Sequence, residues 1–375
     1  MRTRLSCTRA AGALLVIGLA PAALHASPAM IRFGYAGCRA CHLSPQGRGL
    51  LTEYGRGIDD THSARRGVYD TDDSRPRRLF HDVRLMAQLH SEAREQPERA
   101  TAAALRAWYR NSTRVSDRFR VSGSISFDLP ARAPEVTRVQ PLPSQPQAFL
   151  RQMLLEFTPH RNVYVAVGRD TLPSGVEIAD QATYMRARNM QGLTDVPTQV
   201  KLFWSTPRFQ IAPYVFGPSG HELRPFRTSG TGVLAETYLL GDRLATGLSL
   251  RVARNPTFDE RLTGVYLRLG LGAWGVLTEH DVVRRSEGAA DGREFDQYTG
   301  YVQVFFYPTD WLVASISADR LQVESPYEDR RWYLRPELSA RLSPHVTIAA
   351  SIRDQYVQAR RSTAIVVQLY LKTVD

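Results

Sequence analysis

From about residue 80 to its C-terminus the chain alternates apolar and polar residues with a period of two, in runs of about 9–13 residues. Such runs are roughly twice as long as the usual soluble strand, and they match what a tilted strand needs to cross a bilayer. The stretches Asp82–His90 and Phe119–Leu129 alternate cleanly. Trp332, Leu334, Pro336, Leu338, Ala340 and Leu342 share one face, opposite Tyr333, Arg335, Glu337, Ser339 and Arg341. Val346, Ile348, Ala350 and Ile352 stand opposite Thr347, Ser351 and Arg353, and Ile365, Val367, Leu369 and Leu371 close the chain.

A soluble β-sandwich alternates too, but it must bury its apolar faces against each other. Here the polar faces carry Arg, Asp and Glu, while the other faces are Leu, Val and Ile with Trp and Tyr near the ends. Short connections (Thr158-Pro159-His160, Thr206-Pro207-Arg208, Gly241-Asp242, Pro308-Thr309-Asp310, Ser343-Pro344-His345) alternate with longer polar ones. That arrangement predicts a mainly β fold, a transmembrane antiparallel β-barrel over 79–375. Strands are expected near 81–90, 102–111, 118–129, 147–157, 161–169, 197–205, 208–217, 231–240, 243–253, 261–270, 272–283, 295–307, 311–322, 330–342, 345–357 and 362–372. The count is about 16. The second, fourth and eleventh are weakly patterned, with Arg151 among apolar positions, so 14 is the alternative. The chain ends Lys-Thr-Val-Asp without a terminal aromatic, Tyr370 being the nearest.

The longest connection runs from Gly168 to Gln199 around a loop of about 27 residues. Loops of that length in barrels fold inward or bind partners. Its Glu177, Asp180 and Asp195 could attract a cation, but solvated loop chemistry or loop–wall pairing is the expected role.

The N-terminus has a different layout. Arg2, Arg4 and Arg9 precede the apolar run Ala11–Leu24, and small residues follow. This predicts a signal peptide over 1–26, cleaved after Ala26 or Ala29, and export to the bacterial outer membrane. The run is too short for a membrane helix. Removal takes away three arginines and no acid, lowering the formal net charge from +11 to +8. The basic residues are scattered arginines, with Lys201 and Lys372 the only lysines, so no nucleic-acid footprint is expected.

Cys7 would leave with the leader, and the remaining cysteines stand in Cys38-Arg39-Ala40-Cys41-His42. Cys-x-x-Cys-His is the attachment signature of c-type haem: two thiols add across the vinyl groups of one haem, and the adjacent histidine ligates the iron. A thioredoxin-like pair belongs at a strand–helix junction, and a zinc site needs further ligands. One covalent haem c is therefore predicted in a small segment over 27–78, bound by Cys38 and Cys41 with His42 as axial ligand. His62 ranks first as distal axial ligand. Met30, His81, Met86 and His90 are alternatives, and so is an open sixth position.

Exported leader, haem motif, short linker and barrel together resemble the fused monohaem cytochrome–porins of bacterial outer membranes, a group that includes proposed iron oxidases. The matching residues are Phe33, Tyr35, Cys38, Cys41, His42, Pro45 and Gly49. Iron-oxidase members carry a Leu-Asn pair after the proline, where this chain has Gln46-Gly47-Arg48-Gly49. The resemblance implies electron transfer at or across the outer membrane, between a periplasmic electron carrier and an extracellular donor or acceptor. Iron oxidation (an Fe(II) oxidase-like activity) is one such exchange, and outer-membrane lipid would surround the barrel.

Inward arginines such as Arg84, Arg120, Arg251, Arg268, Arg335 and Arg353 would either screen haem propionates or brace the wall. The alternative function is a diffusion porin whose haem plug is structural or sensory. A peroxidase-like enzyme would need a distal acid–base group, and none stands out near His42. The 36-residue linker from Leu43 to Arg78 and a periplasmic start of the first strand predict that the haem segment plugs the periplasmic half of the lumen.

Overall fold

A computed structural model describes residues 28–47, 50–64, 79–94, 100–129, 147–177, 183–192, 195–219, 226–287, 292–358 and 360–373. The expected leader, Gly49 and Asp180 lie outside the described residues. Sixteen strands form one closed antiparallel barrel, each pairing with its neighbours in sequence and β1 pairing with β16. They are β1 (Leu79–Arg94), β2 (Ala100–Arg114), β3 (Phe119–Leu129), β4 (Gln147–His160), β5 (Val163–Arg169), β6 (Thr198–Ser205), β7 (Phe209–Gly217) and β8 (Ser229–Leu239). The second half comprises β9 (Leu244–Arg254), β10 (Phe258–Leu271), β11 (Trp274–Glu287), β12 (Glu294–Phe306), β13 (Leu312–Val323), β14 (Asp329–Ser343), β15 (Val346–Val357) and β16 (Arg360–Lys372). The count of 14 is thereby excluded.

The strand phase is the one the alternation predicts. Leu334, Leu338, Ile348, Ile352, Ile365 and Val367 point outward and exposed, while Tyr333, Ser351 and Arg353 are buried on the inner face. Aromatic pairs stack at strand ends: Phe119 on Phe157, Trp274 on Phe306, and Trp332 on Tyr356. Amphipathic rings at that height suit the two boundaries of an apolar band.

For β4, one of the three weakly patterned strands, the register explains the break in alternation. Gln152 pairs with Ser124 and Leu150 with Ile125, leaving Arg151 as the extra residue of a bulge. The bulge switches the inward phase from Phe149 to Leu154 and Glu156. It also aims Arg151 at Ser126 and Asp128 on the inner face of β3. An arginine at an apparently apolar position is thus a lumen residue.

The barrel interior is filled from two directions. The long β5–β6 connection turns inward, carrying a short helix α1 (Tyr184–Arg188). Val176 and Met185 join a buried apolar cluster with the wall residues Tyr164, Phe203, Tyr301 and Phe305. Its polar groups anchor on the wall. Val176 N donates to Glu279 at 2.6 Å, Asn189 donates to Asp281 and Thr299, and Arg251 donates to the Asn189 carbonyl. Glu177 pairs with Arg186 at 3.2 Å, and Asp195 accepts from Gly192 N. Of the three acids singled out from sequence, the two that are described, Glu177 and Asp195, make these contacts within the loop, and Asp170 of the same connection pairs with Lys201 of the wall.

From the other direction comes the N-terminal segment. Its 3₁₀ helix Pro28–Phe33 packs on β10 and β11. A second 3₁₀ turn, Cys38–Ala40, follows, and then a nine-residue helix α2 (Glu53–Thr61).

Candidate functional site

The Cys-x-x-Cys-His sequence forms a single tight turn. Cys41 N and His42 N both donate to the Cys38 carbonyl, at 3.2 and 3.0 Å. Helical spacings of three and four place Cys38, Cys41 and His42 on one side of that turn. The turn is then locked to the residues that follow. His42 pairs with Leu51 in an isolated antiparallel bridge, Leu43 N donates to the Leu50 carbonyl, and Thr52 N donates to the Cys41 carbonyl. Thr52 caps α2 by accepting from Gly55 N at 3.0 Å. Gly55 is required there: a Cβ would lie 2.1 Å from the Cys41 carbonyl oxygen.

The segment sits at the end of the barrel that carries the short turns and both ends of the sheet. Gly270, on the inward phase of β10, holds the Ile31–Arg32 backbone so closely that a Cβ would lie 2.1 Å from the Arg32 Cα. Ile31 and Ala36 are buried with Tyr238 and Ala245 of the β8–β9 hairpin. The Arg32 guanidinium lies 3.8 Å over the Tyr307 ring. Arg39 donates to the Arg161 carbonyl in the β4–β5 turn, and Arg120 donates to the Leu43 carbonyl at 3.1 Å. Asp59 of α2 is clasped by Arg341 of β14 and Lys372 of β16. Ala64 N donates to the Arg341 carbonyl. Residues 28–47 and 50–64 thus lie in the half of the lumen nearest the ends of the barrel's first and last strands.

Inside, this segment meets the inward loop. Gln46 Nε2 donates to the Leu172 carbonyl at 3.1 Å and to Glu177 at 3.3 Å, and Lys201 donates to Gln46 Oε1 at 2.7 Å. Lys201 also pairs with Asp170. The cysteine turn, the loop and the wall are therefore one connected structure.

Both thiols are free, Cys41 buried and Cys38 partly so. Burial raises both, and Cys41 is pushed up to about 11 by burial and then by the neighbouring Cys38 and Asp59. A redox-active pair needs a depressed thiol, so the thioredoxin-like alternative has no support in this environment. Among the described residues no three His, Cys, Asp or Glu side chains gather as metal ligands, which also disfavours the zinc alternative. Arg268 Nη1 approaches Cys38 Sγ at 3.8 Å and pairs through Nη2 with Glu236.

His42 is half-buried, and its Nδ1, shielded from solvent, has no hydrogen-bond partner. Burial, with the positive charges of Arg110 and Arg84, pushes its imidazole down to about 3, so it is neutral, the form that ligates iron. His62 is buried at the C-terminal end of α2, with Nδ1 against the Ile58 carbonyl. A proton on Nδ1 at that contact would leave the Nε2 lone pair for ligation. Met30 is buried in the first 3₁₀ helix, Met86 faces inward from β1, and His81 lies near the start of β1.

The six inward arginines named from sequence all lie on the lumen phase. Most brace wall acids: Arg120–Glu156 at 2.9 Å, Arg251–Glu260 at 2.6 Å, Arg335–Glu337 at 3.5 Å, Arg84–Asp82 at 3.0 Å, and Arg268–Glu236. Sequence reasoning missed Asp59, Gln46 and Gly270. Only Gly270 left a signal, a glycine on the inward phase two residues after Arg268.

A closed sixteen-stranded antiparallel barrel with an inward-folded loop defines the class: the fold is that of the outer-membrane porins. No family model matches the sequence, and no curated protein matches it. Solved structures do match. A loop-deletion form of OmpT, an outer membrane protein of Vibrio cholerae, is 10% identical with a TM-score of 0.60, covering 79% of this chain and 100% of that one. An anion-selective porin from Comamonas acidovorans is 9% identical with a TM-score of 0.58, covering 79% and 99%. Pseudomonas putida OprB at high pH is 8% identical with a TM-score of 0.56, covering 79% and 94%. At such identities the likeness is one of fold.

Proposed function

We propose that this chain is an outer-membrane electron-transfer protein that carries one covalent c-type haem in the periplasmic end of a porin-type barrel. The observation that carries the reading is the placement of the Cys38–His42 turn inside the barrel end. There two thiols and a neutral imidazole lie on one turn, held by the wall and by the inward loop. The residues fit the group: Cys38 and Cys41 would form the two thioethers, His42 would ligate the iron, and His62 is the candidate for the opposite side. Bound there, the haem would supply a one-electron carrier within an otherwise insulating bilayer.

The protein's own part is positional. The barrel excludes lipid, Asp59, Gly270 and Gln46 hold the turn in place, and the inward loop packs on the wall and on Gln46 beside it. The partners of this reading are a periplasmic electron carrier and an extracellular donor or acceptor. Extracellular iron is one acceptable donor, giving Fe(II) oxidase-like activity. The likeness to porins supports a second reading, a diffusion porin with a structural or sensory haem plug. A pyridine haemochrome spectrum of outer-membrane fractions tests the haem, and liposome swelling separates the two readings. A haem signal without solute uptake supports electron transfer, whereas free uptake of small solutes supports diffusion.

A further inference from the structure

The barrel rim at the end that holds the N-terminal segment is electrostatically lopsided. Four successive turns there each carry one exposed arginine: Arg118 between β2 and β3, Arg161 between β4 and β5, Arg208 between β6 and β7, and Arg243 between β8 and β9. The acids of these turns are Asp117 and Asp242, so the arc keeps a surplus of positive charge. The other three turns at this end, 272–273, 307–311 and 344–345, carry no arginine or lysine and one acid, Asp310. In all four basic turns the arginine backbone is fixed. The Arg118 carbonyl accepts from Thr158 N at 2.8 Å, that of Arg208 from Tyr238 N at 2.9 Å, and that of Arg243 from Gly270 N at 2.8 Å. The Arg161 carbonyl accepts from Arg39, the residue after Cys38. The guanidiniums are not engaged: none of the four has a carboxylate partner among the described residues.

Exposed arginines at the opposite end behave differently. Arg254 pairs with Asp259 at 2.8 Å, Arg284 with Asp296 at 2.9 Å, and Arg361 with Asp354 at 2.8 Å. A paired guanidinium has its field compensated, whereas an open one on a fixed backbone projects its charge outward. Two of the basic turns also touch the segment that carries the cysteines. The β4–β5 turn does so through Arg39, and the β8–β9 turn through Gly34, where a Cβ would lie 3.2 Å from the Gly241 carbonyl oxygen. We propose that the arc of Arg118, Arg161, Arg208 and Arg243 is the docking surface for the periplasmic electron carrier, and that the carrier is a protein with an acidic face. The assignment rests on the haem reading. One electron then passes between carrier and haem iron, one oxidised as the other is reduced, with no bond or proton changing place. The arc sets the encounter rate and orientation rather than the haem's own properties.

Stopped-flow electron exchange with the full-length protein in detergent tests this, using two probes that differ in charge: mitochondrial cytochrome c, which is basic, and the same protein with its lysines succinylated, which is acidic. The readout is the sign of the salt dependence, which driving force does not set. Between about 0.01 and about 0.5 M ionic strength the rate with the acidic probe should fall at least about tenfold, and that with the basic probe should not fall. The fourfold variant Arg118→Gln/Arg161→Gln/Arg208→Gln/Arg243→Gln should keep covalent haem, midpoint potential and heat-modifiable migration while losing most of this dependence. A variant lowering net charge equally at the opposite end, Arg254→Gln/Arg284→Gln/Arg330→Gln/Arg361→Gln, should keep it. Equal losses in the two variants would mean that only net charge acts, and would overturn the proposal. A dependence present in phosphatidylcholine nanodiscs and abolished in phosphatidylglycerol ones would give the arginines to lipid headgroups and overturn it too. A haem-loaded wild type indifferent to probe charge would overturn the docking surface alone, whereas a wild type without haem would remove the parent reading with it.

Discussion

Asp59, in the helix of the lumenal segment, is ion-paired with Lys372, the last residue of the last strand, 313 positions away. The same carboxylate holds Arg341, and the contact ties the N-terminal segment to the closing seam of the barrel. Asp59→Ala strands two wall cations at a largely buried site. Lys372 keeps 20% of its side chain exposed, so the expected loss is on the order of 2–4 kcal/mol of docking, near the low end for broken buried pairs. Liposome swelling should rise in this variant while the barrel retains heat-modifiable migration.

The clasp also has a defined pH window. Burial works against the ionised carboxylate, but Lys372 and Arg341 outweigh it and hold Asp59 well below the ordinary carboxylate range. A depressed folded value means its contribution is complete above about pH 4 and is lost only as pH falls further. Plug-dependent resistance to swelling should therefore be flat from neutral pH down to about 4.

Gly270→Val tests the seat of the segment from the other wall. A Cβ there would meet the Arg32 backbone, which cannot move aside as a side-chain tip can. Single-channel recordings should show larger conductance than wild type. An unchanged conductance would mean that the 3₁₀ helix Pro28–Phe33 does not occlude the lumen.

His62→Ala should leave covalent haem in place and convert the spectrum from low spin to high spin. His42→Ala should perturb the spectrum in the same direction, and a His62 variant with an unaltered spectrum would remove His62 as the distal ligand.

All sixteen strands were legible because a membrane-type barrel imposes period two along its whole length, and the outward face of β14 read from Trp332, Leu334 and Leu338 is the exposed one. The weakness of β4 was a bulge at Arg151, and a bulge breaks the alternation that reveals a strand. The haem motif was legible because its spacing is local. Its anchors were not: Asp59, Gln46 and Gly270 act across more than a hundred positions, and a lone acid, amide or glycine carries no mark of its distant partner. The inward loop was foreseen from length alone, whereas its landing sites on Glu279 and Asp281 depend on the closed barrel.

The central claim is that electrons pass through a haem held in the plugged barrel. Proteoliposomes loaded with a reduced carrier and given an impermeant acceptor outside measure this directly. Wild-type protein should oxidise the enclosed carrier, and the Cys38→Ala/Cys41→Ala variant, inserted to the same extent, should not. Equal rates for the two proteins would show that solutes leak through the pore and would contradict the account.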